Sequence, residues 1–180
     1  MPEPGTNVMV MAPSLSDDKR DTCLDCLEVA PPERLDVLRV TYSSGPEELV
    51  AEWRDRHPLP ARMGIVVVGD QPGRGPDSEG LPDSVFVTAA NPNDVTGLGM
   101  RLNNYLNDRD PAAQLAVCFD SMTEMLQFSE LQPVFKFLHM FTGQLRDADA
   151  ASHFHIDPGA HDQQVISRLK PLFDDAVDLT

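Results

Sequence analysis

Glycine is missing where a nucleotide-binding chain needs it most. None lies between Gly5 and Gly45 of this 180-residue sequence, and neither G-x-G-x-x-G nor G-x-x-x-x-G-K-[ST] occurs anywhere in it. Backbone can approach a pyrophosphate closely only where side chains are absent, so a phosphate cradle is excluded and ATP binding is not expected. Positive charge is also scarce. Lys+Arg number 14 against 29 Asp+Glu, a net −15, and only 3 of the 14 are Lys. Such a surface repels nucleic acid phosphates and anionic lipid, which removes both as primary partners. Aromatic residues make up 6%. No apolar run approaches the ~20 residues of a membrane span. The opening Met1-Pro2-Glu3-Pro4 has neither a basic nor an apolar signal region, so the expectation is a cytoplasmic protein with its 3 cysteines reduced.

The acidity is dominated by aspartate, 20 Asp against 9 Glu. Depleted Lys and abundant Asp fit a salt-rich cytoplasm, where ions screen self-repulsion; the plainer alternative is an ordinary acidic protein. Raising NaCl from ~0.1 M to ~1 M shortens the screening length from about 10 Å to about 3 Å. The melting temperature is therefore expected to rise over that interval. A thermal melt that stays flat or falls with salt contradicts the halophilic reading.

Hydrophobic residues make up 41%, enough for a core. Short apolar runs, Asn7–Ala12, Asp36–Tyr42, Met63–Gly69, Val85–Ala89, Leu115–Phe119 and Ala151–Ile156, read as strands covered on both faces. Helical stripes fill the gaps. Val95, Leu98, Leu102, Tyr105 and Leu106 make one; Leu131, Val134, Phe135, Leu138, Phe141 and Leu145 the longest; Val165, Ile166, Leu169, Leu172 and Phe173 the last. Ser44-Gly-Pro-Glu47 reads as a capping box opening a helix through Trp53, and Asn91–Asp94 opens the next helix. Alternating strands and helices mean an α/β, three-layer αβα sandwich with a mostly parallel sheet. We expect a tail over 1–6, a single domain over 7–180 and a flexible loop at 70–82, where Pro and Gly cluster. A strand beyond the last helix is either absent or just beginning at Asp178–Thr180.

Two segments carry a family resemblance. Leu38-Arg-Val-Thr-Tyr-Ser-Ser-Gly-Pro-Glu-Glu-Leu49 resembles a KaiC-type second strand and the helix after it, and Leu115–Leu126 resembles a Walker B strand ending in Asp120-Ser121. With Phe135–Arg146 and Ala151–Ile156 following in order, the chain is similar to RecA/KaiC-like ATPase cores from Asn7 to Val177. Within them it resembles the short, degenerate haloarchaeal HTR-like proteins. The resemblance implies a P-loop NTPase fold without the P-loop. The phosphate loop falls on Ala12–Lys19, with Asp17 and Asp18 in place of glycines. The family's acidic catalytic pair falls on Ser43 and Ser44, whose hydroxyls cannot act as a carboxylate base. Only Asp120 survives, and a lone carboxylate without phosphates holds Mg²⁺ poorly.

Other clusters are read beside their plainer explanations. His153, His155 and Asp157 lie at i, i+2 and i+4 of a strand, with His161 nearby and Asp120 ending an adjacent strand in the family fold. His153, His155, Asp157 and Asp120 are thus candidate ligands for Zn²⁺ or Fe²⁺; otherwise one His is buried and bonded, and Asp157 opens a turn before Pro158. Cys23-x-x-Cys26 is a redox candidate, yet it sits inside a helix among Asp21, Asp25 and Glu28, which fits core packing. Cys118 reads as core. No serine lies in a G-x-S-x-G elbow, and Ser16 and Ser44 read as caps. His139 is expected to be a semi-buried packing residue and Trp53 to anchor its helix on the sheet. The sequence thus points to a non-catalytic interaction or regulatory module, in signalling, engaging a protein partner or itself and using no cofactor. The alternative is a metal-dependent enzyme built on the His153 cluster.

Overall fold

In the computed structural model, which describes residues 2–69 and 80–180, seven strands form one sheet. They are β1 (Thr6–Met11), β2 (Leu35–Thr41), β3 (Arg62–Val68), β4 (Val85–Ala90), β5 (Gln114–Asp120), β6 (Ala151–Ile156) and β7 (Asp175–Asp178). Their order is β4-β3-β2-β5-β6-β1-β7, and every pairing is parallel. Parallel neighbours need crossovers, and the helices α1 (Asp17–Leu27), α2 (Pro46–Arg54), α3 (Val95–Asn107), α4 (Met122–Phe128), α5 (Leu131–Asp147) and α6 (Gln163–Leu169) lie in all of them but the β3–β4 connection, most of which falls outside the described residues.

The central strands are buried along their whole length in β2 and β6, whereas edge strand β4 alternates buried and exposed residues. That is why the inner strands read as continuous apolar runs. Side-chain alternation then splits the core in two. On one face Leu115, Val117 and Phe119 of β5 meet Leu102 of α3, Met125 of α4 and Phe137 and Phe141 of α5. On the other, Ala116 and Cys118 of β5 meet Cys23, Leu24 and Leu27 of α1 and Leu49, Val50 and Trp53 of α2. Trp53 anchors α2 as expected, and its indole N–H donates to the Pro58 carbonyl at 2.7 Å.

Some local expectations are corrected. Ser44 does not cap α2: the cap residue is Gly45, and Ser44 instead exchanges backbone hydrogen bonds with the Thr41 hydroxyl. The competing local turn at the strand end takes the serine out of capping geometry. His139 is exposed rather than semi-buried and lies parallel to the Phe135 ring at 6.3 Å. Helix α4, capped by the Ser121 hydroxyl, has no counterpart among the expected helices. Strand β7 does form; it owes its place to the free edge of β1, with Asp174 N–H donating to the Asn7 carbonyl and Leu179 N–H to that of Met11. Most of the 70–82 loop lies outside the described residues.

Candidate functional site

Ligands in open parallel sheets gather beyond the carboxyl ends of the strands. There a cleft of about 350 Å³ is lined by Ser14, Ser16, Lys19, Ser43, Glu52 and Asp120, among others. Helix α1 starts at its rim. Its cap is Ser16, whose hydroxyl accepts from the Lys19 N–H, and its first turn carries Asp17 and Asp18. The helix N-terminus favours an anion, and these two carboxylates already supply the negative charge.

Lys19 decides the character of the cleft. Its ammonium donates to Asp120 Oδ1 at 2.7 Å, with both side chains largely shielded from solvent. Asp120, the carboxylate that the resemblance marks for Mg²⁺, thus carries a protein cation. The residues do not fit a magnesium–nucleotide group: among the described residues no glycine lines the cleft, the helix start is acidic, and the lysine is engaged with the carboxylate. The Asp120–Ser121 peptide is cis. Two acidic groups that the sequence did not single out also reach the cleft. Glu48 lines it, and Glu52 lies 4.0 Å from Arg20 and 3.9 Å from Arg39. Burial raises the Glu52 carboxyl above its ordinary range, with the Arg39 charge opposing. A double-mutant cycle of Lys19→Met and Asp120→Asn is expected to give a coupling of about 1–2 kcal/mol in urea unfolding, as for other partly buried contacting pairs. A coupling near zero contradicts the pairing.

Beneath the cleft, between α1 and the sheet, lies a second cluster. Cross-strand register sets Arg39, Cys118, His153 and Val8 in one row over β2, β5, β6 and β1. His155 follows His153 on the same face, with ring centroids 4.9 Å apart. Cys23 comes down from α1 to put its Sγ 3.1 Å from that of Cys118. One ligand atom from each of Cys23, Cys118, His153 and His155 lies within 4.8 Å of the others, and all four residues are buried. The Arg39 guanidinium donates to Cys23 Sγ at 3.5 Å. Among the described residues none of the four ring nitrogens of His153 and His155 makes a hydrogen bond of ordinary geometry, and the one polar side chain that His153 interacts with directly is the Cys23 thiol. Buried polar groups left so cost about 1–3 kcal/mol each. The Cys23 thiol is pushed well below its ordinary value, mainly by the hydrogen bond from Cys118 and further by the Arg39 charge, against burial. Burial pushes Cys118 up and His153 down.

The four ligand candidates named from sequence are therefore not brought together. His153 and His155 do share a face, but Asp120 pairs with Lys19. The Asp157 carboxylate accepts from Ser14 N–H and Oγ at 2.9 Å and from Gly159 N–H at 3.0 Å. Those bonds hold it below its ordinary range, although burial opposes them. His161 Nε2 lies 3.0 Å from Thr123 Oγ1. The residues that do join the histidines are Cys23, a redox candidate whose surroundings fit core packing, and Cys118, which the sequence marks as core; Cys23 faces Cys118 rather than its sequence neighbour Cys26. Cys26 stays apart, its thiol raised to about 11 by burial.

A family model matches residues 5–179. The chain belongs to DUF7504, a family of unknown function. No curated protein matches this family member. Among solved structures it is similar to PH0250 from Pyrococcus horikoshii OT3, with a TM-score of 0.62 and 9% identity over 99% of this chain and 83% of that one. It is also similar to the flagellar accessory protein FlaH from Methanocaldococcus jannaschii, with a TM-score of 0.52 and 9% identity over 98% of this chain and 71% of that one. These likenesses establish for this DUF7504 chain a RecA-like α/β sandwich. Among the described residues, no helix is long and apolar enough to cross a membrane.

Proposed function

We propose that this protein is a non-catalytic interaction or regulatory module built on a RecA/KaiC-like core that no longer binds or hydrolyses ATP. The observation that carries this reading is the Lys19–Asp120 ion pair at 2.7 Å. A lysine that would neutralise phosphate and a carboxylate that would hold Mg²⁺ neutralise each other, at the mouth of a glycine-free turn. Ser43 and Ser44 stand where the family's catalytic carboxylates fall, and a hydroxyl of ordinary acidity cannot serve as the base that orients water. With chemistry gone, the fold retains its surface, and its partner is a protein or another copy of the chain. FlaH is a flagellar accessory protein, and an accessory role fits such use of the fold in that protein. The relation to haloarchaeal HTR-like signalling proteins belongs to the same proposal.

Titration calorimetry with Mg-ATP at molar salt tests it. No heat and no thermal shift up to millimolar nucleotide are expected. Micromolar binding, or phosphate release that Asp120→Asn abolishes, contradicts the reading.

A further inference from the structure

The cluster under α1 asks for a ligand of its own. Two thiols and two imidazoles converge from three elements, α1, β5 and β6, and among the described residues the buried imidazole nitrogens make no hydrogen bond of ordinary geometry. His153 is 0% exposed and His155 1%. We propose that Cys23, Cys118, His153 and His155 form a closed tetrahedral zinc site that staples α1 to the sheet.

The chemistry matches the metal. Zinc takes thiolate sulfur at about 2.3 Å and imidazole nitrogen at about 2.0–2.1 Å, which sets tetrahedral ligand atoms roughly 3.3–3.8 Å apart. The four atoms here already lie within 4.8 Å of one another, and the two sulfurs at 3.1 Å need to part by only about 0.7 Å. A two-sulfur, two-nitrogen set is the tetrahedral donor set of zinc, and four protein ligands leave no open position, so the site is structural rather than catalytic. On binding, two Zn–S bonds replace two S–H bonds and the thiol protons leave to solvent. Two thiolates then cancel the charge of the ion. The Arg39 guanidinium, 3.5 Å from Cys23 Sγ, supplies the outer hydrogen bond that such sulfurs take, and Glu52 at 3.9 Å offsets its charge. Cys23 also lines the cleft above, which gives the ion a way in. The site lies beneath the cleft, between α1 and the sheet. It does not depend on the fate of ATP.

Elemental analysis of the full chain, purified without chelator, is expected to find about one zinc per chain. Cys26→Ser is expected to keep it, whereas Cys118→Ser lowers zinc affinity by at least about tenfold, as ligand loss exceeds loss of an outer-shell partner. Should Cys118→Ser fail to fold, cobalt titration of the metal-stripped wild type decides: a thiolate-to-cobalt charge-transfer band with the intense visible bands of a tetrahedral site supports the assignment. Absence of that band overturns it. So does a wild type that takes up no zinc on refolding in excess metal, a folded Cys118→Ser whose zinc affinity is unchanged, stoichiometric iron or copper instead, or a Cys23–Cys118 disulfide seen by intact mass.

Discussion

Phe119→Ala is expected to lower the unfolding free energy by about 3–5 kcal/mol, the range for a large aromatic removed from a packed core. The ring is wholly buried on the helix-rich face of β5. Its centroid lies 5.4 Å from Phe154 of β6, 6.1 Å from Phe137 of α5 and 6.1 Å from Tyr42 after β2. Two elements and a strand end therefore lose contacts at once. Few neighbours can move into the space, because Phe141 already packs edge-on against Phe154 at 6.0 Å. The residue also immediately precedes Asp120, so its loss is expected to loosen the strand end that presents the carboxylate to Lys19. Urea unfolding at fixed high salt measures the effect. A loss under about 1 kcal/mol would show that the site collapses and that this face is not the dominant core.

A single methyl group at Gly64 is expected to cost nearly as much, about 3 kcal/mol, at the upper end for overpacking. A Cβ at Gly64 of β3 would overlap the Tyr105 ring of α3. That ring cannot yield cheaply. Its hydroxyl donates a short hydrogen bond to the buried Asp36 carboxylate, and the Arg62 guanidinium sits 3.7 Å over its face while bonding Asp36 at 3.2 Å. Moving the ring breaks a hydrogen bond and a cation–π contact together and leaves Asp36 Oδ1 without its hydroxyl donor, with only the Arg62 ion pair remaining. Gly143→Ala supplies the contrast. Nothing lies within 4 Å of its Cβ position in α5, so alanine there is expected to stabilise the protein by about 0.5–1 kcal/mol through helix propensity. Equal effects at the two glycines contradict the packing argument.

Six of the seven strands and the long helical stripes were legible in the sequence. Their signals are local: hydrophobic period and cap residues act within a few positions, and inner strands of a parallel sheet must be apolar on both sides. The expectation that no phosphate cradle forms rests on an equally local signal, the glycine-free turn after β1. Strand β7 was not legible, because the short Asp175–Asp178 segment acquires its structure from the edge of β1. Nor was the partner of Lys19, 101 residues from Asp120. Local spacing placed His153 and His155 on one face of β6, and the chain alone suggested carboxylates as their companions. Sheet order decided otherwise. It set β5 beside β6 so that Cys118 stands level with His153, and it laid α1 across them so that Cys23 closes the group from above. Periodicity fixes which face a side chain takes. Which chain segment covers that face is set by strand order and crossover, through contacts as distant as the 95 residues between Cys23 and Cys118.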